Sequence, residues 1–316
     1  MQWYYYLLIA IGTIILLILL ISYICFRKVF YSKNKVYPQT DEVYLPKSEL
    51  YEEYRDIIIQ DIKDARKLPY KTFKVKSFDG LLLSGKYYEN NPGDPIEIMF
   101  HGYRGTGERD LSTGIKRAFL CNHNALIIDQ RATCDSEGHI ISFGINEYRD
   151  CIVWANYIAN EFKDCEVILT GISMGAATVL MASSTPLPSN VIAILADCGY
   201  NKASDIIKKV IKDMHLPANI LYPFVKMGAR VFGHFNLEET SPYQEVQKSR
   251  LPIIFFHGTN DSLVPCEMSE KLYEACTSEK KIVTIKDGRH GTSYLKNPEL
   301  YLKEAINFFN KYQKKI

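Results

Sequence analysis

The stretch EVILTGISMGAAT, Glu166 to Thr178, sets one serine, Ser173, between Gly171 and Gly175 where an apolar strand pattern gives way to a helical one. A serine hydroxyl is a weak nucleophile until a base takes its proton and fixed N–H donors meet the developing oxyanion. Gly-x-Ser-x-Gly alone is a modest signal. The strand-to-helix setting strengthens it, because flanking glycines permit the sharp turn of a nucleophile elbow and the N–H of Met174 then opens a helix toward an oxyanion.

The rest of the chain offers partners for that hydroxyl. His101-Gly102-Tyr103-Arg104-Gly105 follows the apolar run Ile96 to Phe100, and the backbone N–H of Tyr103 is the candidate second oxyanion donor. His101 reads as structural, holding the loop; Gly105 and Gly107 do not make a phosphate-cradling loop, since no Lys-Ser/Thr pair follows. In FFHGTNDSLVP, Asp261 is the candidate acid, and in DGRHGTSY, His290 is the candidate base. Each lies just past an apolar run, where ligands collect in parallel sheets. Asp197, in LADCGYN, has the same kind of position and is the rival acid. Asp129 reads as structural, paired with Arg131, and Cys121-x-His123 is too sparse for zinc. The chemistry requires neither a metal nor an organic cofactor.

Around these residues short β-like runs alternate with helical periods. TFKVKSF and LLLSGKYY flank Asp79-Gly80, a hairpin signal. Apolar runs follow at 96–100, 125–129, 166–170, 191–196, 252–256 and 281–285, with helical stretches near 109–120, 146–162, 174–184, 267–277 and 298–312. This pattern predicts an α/β fold with a mostly parallel central sheet covered on both faces. The interval 199–249 is too long for a simple crossover; it reads as a helical cap insertion over the strand ends, or as packing without substrate contact.

Of 316 residues, 47% are hydrophobic and 23% charged, as in ordinary globular chains, and 38 basic against 36 acidic residues give no general attraction for nucleic acid. LLIAIGTIILLILLISYICF, Leu7 to Phe26, is uncharged and long enough to cross a bilayer. No basic start precedes it and no A-x-A site follows, so it reads as an uncleaved single-pass transmembrane helix with Trp3 and Tyr4 to Tyr6 at one interface. Arg27, Lys28, Lys33 and Lys35 come before any acid, which predicts a cytoplasmic catalytic domain on the membrane. Among eight cysteines, the seven outside this helix lack disulfide spacing and suit a reducing compartment. The expected organisation is an anchor over 1–28, a linker and amphipathic helix over 29–70, and a catalytic domain over 71–316. In the middle segment Ser48 is the expected helix cap, and Leu50, Tyr54, Ile57, Ile58 and Ile62 the apolar face.

With these residues assembled, the chain resembles the α/β-hydrolase superfamily, and within it bacterial serine aminopeptidase-like and esterase/lipase-like hydrolases. The blocks SFDGLLLSGKYY, FHGYRG, IIDQRATCDSEGHIISFG, GISMGAATVLMAS, ADCGY, HGTNDSLVP and RHGTSY carry the likeness, in order, from residue 71 onward. One departure is Thr133-Cys134, where relatives commonly have His-Gly after the Arg-Ala pair. The resemblance implies the α/β-hydrolase fold, a Ser173, His290, Asp261 triad, and Tyr103 with Met174 as oxyanion donors. The course it implies is acylation of Ser173 and hydrolysis of the acyl-enzyme, and the anchor and apolar cap point to an acyl or lipid-like carboxylic ester as the substrate. A peptidase on the same triad is the alternative, for which a peptide amine would need a carboxylate such as Glu238 or Glu239. A tethered binding protein without turnover is the reading of another class.

Overall fold

The computed structural model of the chain describes residues 3–33, 43, 45 and 52–314. In them the alternating pattern becomes β1 (Lys71–Lys76), β2 (Leu82–Tyr88), β3 (Ile96–Phe100), β4 (Asn124–Asp129), β5 (Val167–Ile172), β6 (Val191–Asp197), β7 (Ile253–Gly258) and β8 (Lys280–Ile285). They form one eight-stranded sheet in the order β1-β2-β4-β3-β5-β6-β7-β8. The β1–β2 hairpin turns at Asp79-Gly80, and both β1–β2 and β2–β4 are antiparallel, whereas every pairing from β4 through β8 is parallel. This is the α/β-hydrolase architecture.

Parallel strands buried on both faces need apolar side chains on both sides. Ile96, Ile98, Phe100, Leu126, Val167 and Leu169 point to one face, where α4 (Glu147–Glu161, with Trp154) and α5 (Met174–Ala182) cover them. On the other, Met99, Ala125 and Ile127 meet α3 (Gly107–Leu120), while Ile168, Leu195, Ile254 and Phe256 meet α11 (Pro298–Phe309). Glu97 interrupts this apolar pattern. It is fully buried, yet Arg117 and His123 pair with it and Thr170 donates to it, so that its pKa, which burial alone would raise, falls to about 2.

Between β6 and β7 lie α6 (Ala203–Asp213), α7 (Ala218–Val231) and α8 (Pro242–Val246), the helices of the expected insertion. The N-terminal helix α1 (Trp3–Val29) is exposed along most of its length and buried only near its end. There it packs on α7 at Gly228, where an added Cβ would stand 2.5 Å from the Ser22 carbonyl. The chain stays packed beyond the helix. Phe30 is fully buried and edge-on to Phe143 and Phe235, at ring distances of 5.9 and 5.2 Å. Ser32 N–H donates to the His139 carbonyl, and Ile141 N–H to that of Phe30, each at 2.8 Å.

Val29 to Ser32, expected as linker, are therefore part of the folded body, because two aromatic side chains at the helix end fill the space between α7 and the segment after β4. Most of the remaining linker, with Pro38, Pro46, Ser48 and Leu50, lies outside the described residues. α2 (Arg55–Lys67) buries Tyr54, Ile58 and Ile62 and packs on α3; Ile57, expected on the same face, is exposed. Phe30→Ala should lower the unfolding free energy of the detergent-solubilised chain by about 3–5 kcal/mol. Denaturant titration reads this, and a loss below 1 kcal/mol would mean that the helix end is not part of the core.

Candidate active site

β5 continues through Ile172, so the bend falls on Ser173 itself, with φ 57° and ψ −115°. A non-glycine residue in that region is strained by roughly 1–3 kcal/mol and persists only where its surroundings over-determine it. Here they do. A Cβ on Gly175 would come within 1.9 Å of the Phe100 carbonyl oxygen, and one on Gly171 within 2.1 Å of the Gly175 oxygen, so only glycine allows α5 to start this close to β3 and β5. Ser173 N–H donates to the Asp197 carbonyl at 2.8 Å, which fixes the bend to β6.

The structure brings Ser173, His290 and Asp261 into one line of hydrogen bonds. His290 Nε2 is 2.9 Å from Ser173 Oγ, and His290 Nδ1 is 2.7 Å from Asp261 Oδ2. The ionised carboxylate can only accept, so Nδ1 carries the proton and Nε2 is left to receive that of the serine. Asp261 is held from several sides: Leu263 and Val264 N–H donate to Oδ1 at 2.9 and 2.8 Å.

A further donor, His257, was not foreseen from the sequence. Its Nε2 lies 3.2 Å from Asp261 Oδ2 and 2.8 Å from the Val264 carbonyl, while Nδ1 is 2.6 Å from Ser269 Oγ. Two acceptors around Nε2 identify it as the protonated nitrogen. Its i,i+4 spacing to Asp261 was the one available signal. Burial would raise the Asp261 pKa, but the hydrogen bonds from His257 and His290 hold it well below the usual carboxylate range.

Gly102 abuts the bend, since a Cβ on it would lie 3.5 Å from Ser173 Cβ. The backbone N–H groups of Tyr103 and Met174, the two expected oxyanion donors, have no protein acceptor among the described residues. His101 does hold this loop. Gln130 N–H donates to its Nε2 at 3.1 Å, so Nδ1–H donates to the Gly102 carbonyl at 2.8 Å, and burial pushes its pKa down.

A cavity of about 240 Å³ opens at Ser173 and His290. Its walls are Met99, Leu111, Ile172 and Leu263, with Ile58 of α2 and Leu295 of α10 (Ser293–Lys296). No residue of the 199–249 insertion lines it. The insertion packs instead against α1, Tyr103 and Met174, and the helix ahead of the sheet supplies the wall expected of the cap.

Asp197, the rival acid, accepts from Ser293 Oγ at 2.8 Å and makes no hydrogen bond to His290 among the described residues. Burial raises its pKa to about 6. Asp129 does not pair with Arg131 as expected: it accepts from Gly107 N–H, and Arg131 binds Asp150 and Asp79, two carboxylates nearer its guanidinium. Glu238 and Glu239 are paired with Lys226 and Arg149, away from the cavity lining. Cys198 lies with Asp261 and His290 within 4.8 Å, a spacing open to a metal ion. Burial keeps its thiol pKa well above the ordinary value, and Asp261 and His290 already bond each other, so the set suits proton transfer better than coordination.

Comparison with known proteins gives a match to the family described as Serine hydrolase (FSH1) over residues 201–292, a range that contains Asp261 and His290. A Bacillus subtilis protein, YqkD, is 27% identical over 189 residues, covering 59% of this chain and 62% of that protein, under two thirds of its length. Among solved structures, a Pyrococcus furiosus esterase, Pf2001, superposes with a TM-score of 0.67 at 20% identity, covering 90% of this chain and 99% of the esterase. A Pyrococcus horikoshii acylaminoacyl peptidase superposes with a TM-score of 0.56 at 18% identity, over 79% of this chain and 43% of the peptidase.

An aspartate with a native pKa near 6, above its unfolded value of about 3.9, binds its proton more tightly when folded. It therefore weakens the fold progressively as pH rises between those values and by a constant amount above them. Between about pH 4 and pH 6, the stability of Asp197→Asn should improve relative to the parent by roughly 1–3 kcal/mol. Unfolding titrations at stepped pH measure the difference, and a flat difference across that window contradicts the assignment.

Proposed function

We propose, from the α/β-hydrolase fold and the match of residues 201–292 to a serine hydrolase family, that the chain is a membrane-anchored serine hydrolase cleaving carboxylic esters, with Ser173 as nucleophile, His290 as base and Asp261 as orienting carboxylate. The observation that carries this is the continuous path from Ser173 Oγ through the imidazole to Asp261. With an ester in the cavity, Ser173 Oγ bonds to the acyl carbon as its proton passes to His290 Nε2. Asp261 stabilises the resulting imidazolium. The N–H groups of Tyr103 and Met174 receive the oxyanion. Collapse breaks the acyl–alkoxy bond, Nε2–H protonates the departing alcohol, and the acyl group stays on Ser173. Water, deprotonated by His290, then releases the acid and restores the hydroxyl.

An ester is favoured over a peptide with a free amine because the acids near the cavity are already engaged. Asp110 is paired with Arg109 and accepts from Gly102 N–H, and Asp197 is bonded to Ser293 with a raised pKa. The apolar walls at Met99, Leu111 and Leu263 suit an acyl chain. Anchoring is supported by the long apolar α1, whose exposed side chains a bilayer would cover, and by Arg27, Lys28 and Lys33 at its end, which favour a cytoplasmic catalytic domain.

Ser173→Ala should abolish fluorophosphonate labelling and lower kcat on p-nitrophenyl acyl esters by about 10⁴-fold or more. Asp261→Asn should cost roughly 10⁴-fold, and Asp197→Asn less than about tenfold, since it does not touch the imidazole. Labelling that survives Ser173→Ala, or the reverse ranking of the two aspartates, overturns the roles.

A further inference from the structure

A second pocket, of about 350 Å³, lies between the end of α1 and the loop that follows β3. It shares no lining residue with the cavity at Ser173. Arg27 and Lys28 come from the helix end, Lys33 from the chain just beyond it, Arg104 from the loop, and Thr133 and Cys134 from the segment after β4. Among the described residues, four of the lining side chains are cationic and none is acidic.

Two of these cations are fixed. Arg104 donates to the carbonyls of Lys28 and Tyr31 at 2.8 and 3.1 Å, and the Arg27 guanidinium stacks 3.7 Å from the centre of the Tyr31 ring. The carbonyls at a helix end would by themselves favour a cation. Here Arg104 takes that of Lys28, and the Tyr103 hydroxyl donates to that of Val29 at 2.6 Å, so these acceptors are satisfied and the positive side chains dominate. Like charges gathered around a concavity repel one another until an anion enters. The depth of the pocket is set by the sequence: Arg27 directly follows the uncharged run ending at Phe26. If that run crosses the bilayer, the pocket stands at headgroup level.

We propose that this pocket binds the phosphate of an anionic phospholipid headgroup. The proposal rests on the anchoring reading above. A zwitterionic choline headgroup would bring its ammonium against the same cations, so the site discriminates by net headgroup charge. Thr133-Cys134, the departure from the family pattern, belongs to this pocket and is absent from the lining of the other.

The full chain, purified in mild detergent, is incubated with phosphatidylglycerol or phosphatidylcholine of matched acyl chains, and retained lipid is read by native mass spectrometry. The parent should retain phosphatidylglycerol at least about tenfold better, and the double variant Lys28→Gln, Lys33→Gln should lose most of that preference, roughly tenfold. Retention of phosphatidylcholine and fluorophosphonate labelling should stay unchanged in the variant, which excludes misfolding. Equal retention of both lipids, or an unaltered variant, overturns the proposal. Soluble glycerol phosphate separates the two phosphate sources: displacement of lipid only at millimolar levels supports a headgroup site, and displacement at micromolar levels overturns it. A chain that retains phosphatidylglycerol yet never labels defeats the hydrolase reading alone; one that labels and retains neither lipid defeats this proposal alone.

Discussion

The arrangement depends on one backbone bend, held at Ser173 by the contact of Gly175 with the carbonyl end of β3. Strain at a single residue is tolerable because all of α5 is buried behind it and β5 is hydrogen-bonded on both sides. The bend turns the hydroxyl toward the cavity and starts a helix with unpaired N–H groups immediately after it. The proposed nucleophile and one of the proposed oxyanion donors thus come from consecutive residues. Everything else at the site is placed relative to that corner, including the loop after β3 at Gly102 and the loop bearing His290.

Holding the imidazole is a problem of electrostatics. A carboxylate taken out of water tends to regain its proton, and a neutral Asp261 could not stabilise a charged imidazole. Donors from the Leu263 and Val264 backbone, His257 and His290 outweigh that tendency. Asp197 lies only one strand away without comparable support, having Ser293 as its nearest donor, and burial prevails there. The contrast between these two aspartates comes from the number of donors each receives.

Local patterns carried most of the fold. Buried parallel strands must be short apolar runs, so their positions read to within about two residues, and Ile96–Phe100 coincides with its run. The candidate site was legible for the same reason: Ser173, Asp261 and His290, which the structure brings together, each follow such a run. What escaped depends on contacts distant in sequence. Nothing local tells that Phe30 fills a hole between Phe143 and Phe235, or that Arg131 prefers Asp150 and Asp79 to its neighbour Asp129. The apolar faces of the insertion announced burial without naming the surface they meet, and that surface includes the end of α1 rather than the cavity at Ser173. His257 was hidden in a strand, where a histidine looks like any buried polar residue.

The central claim, that Ser173 Oγ and His290 act as one nucleophilic unit, is tested most directly by rapid acid quench. The parent enzyme is mixed with an activated acyl ester and stopped within the first turnovers, and its peptides are mapped by mass. The account predicts an acyl adduct on Ser173 that accumulates in the parent and fails to form on the same timescale in His290→Ala. Turnover without an adduct at Ser173, or an adduct formed equally fast without the imidazole, would contradict it.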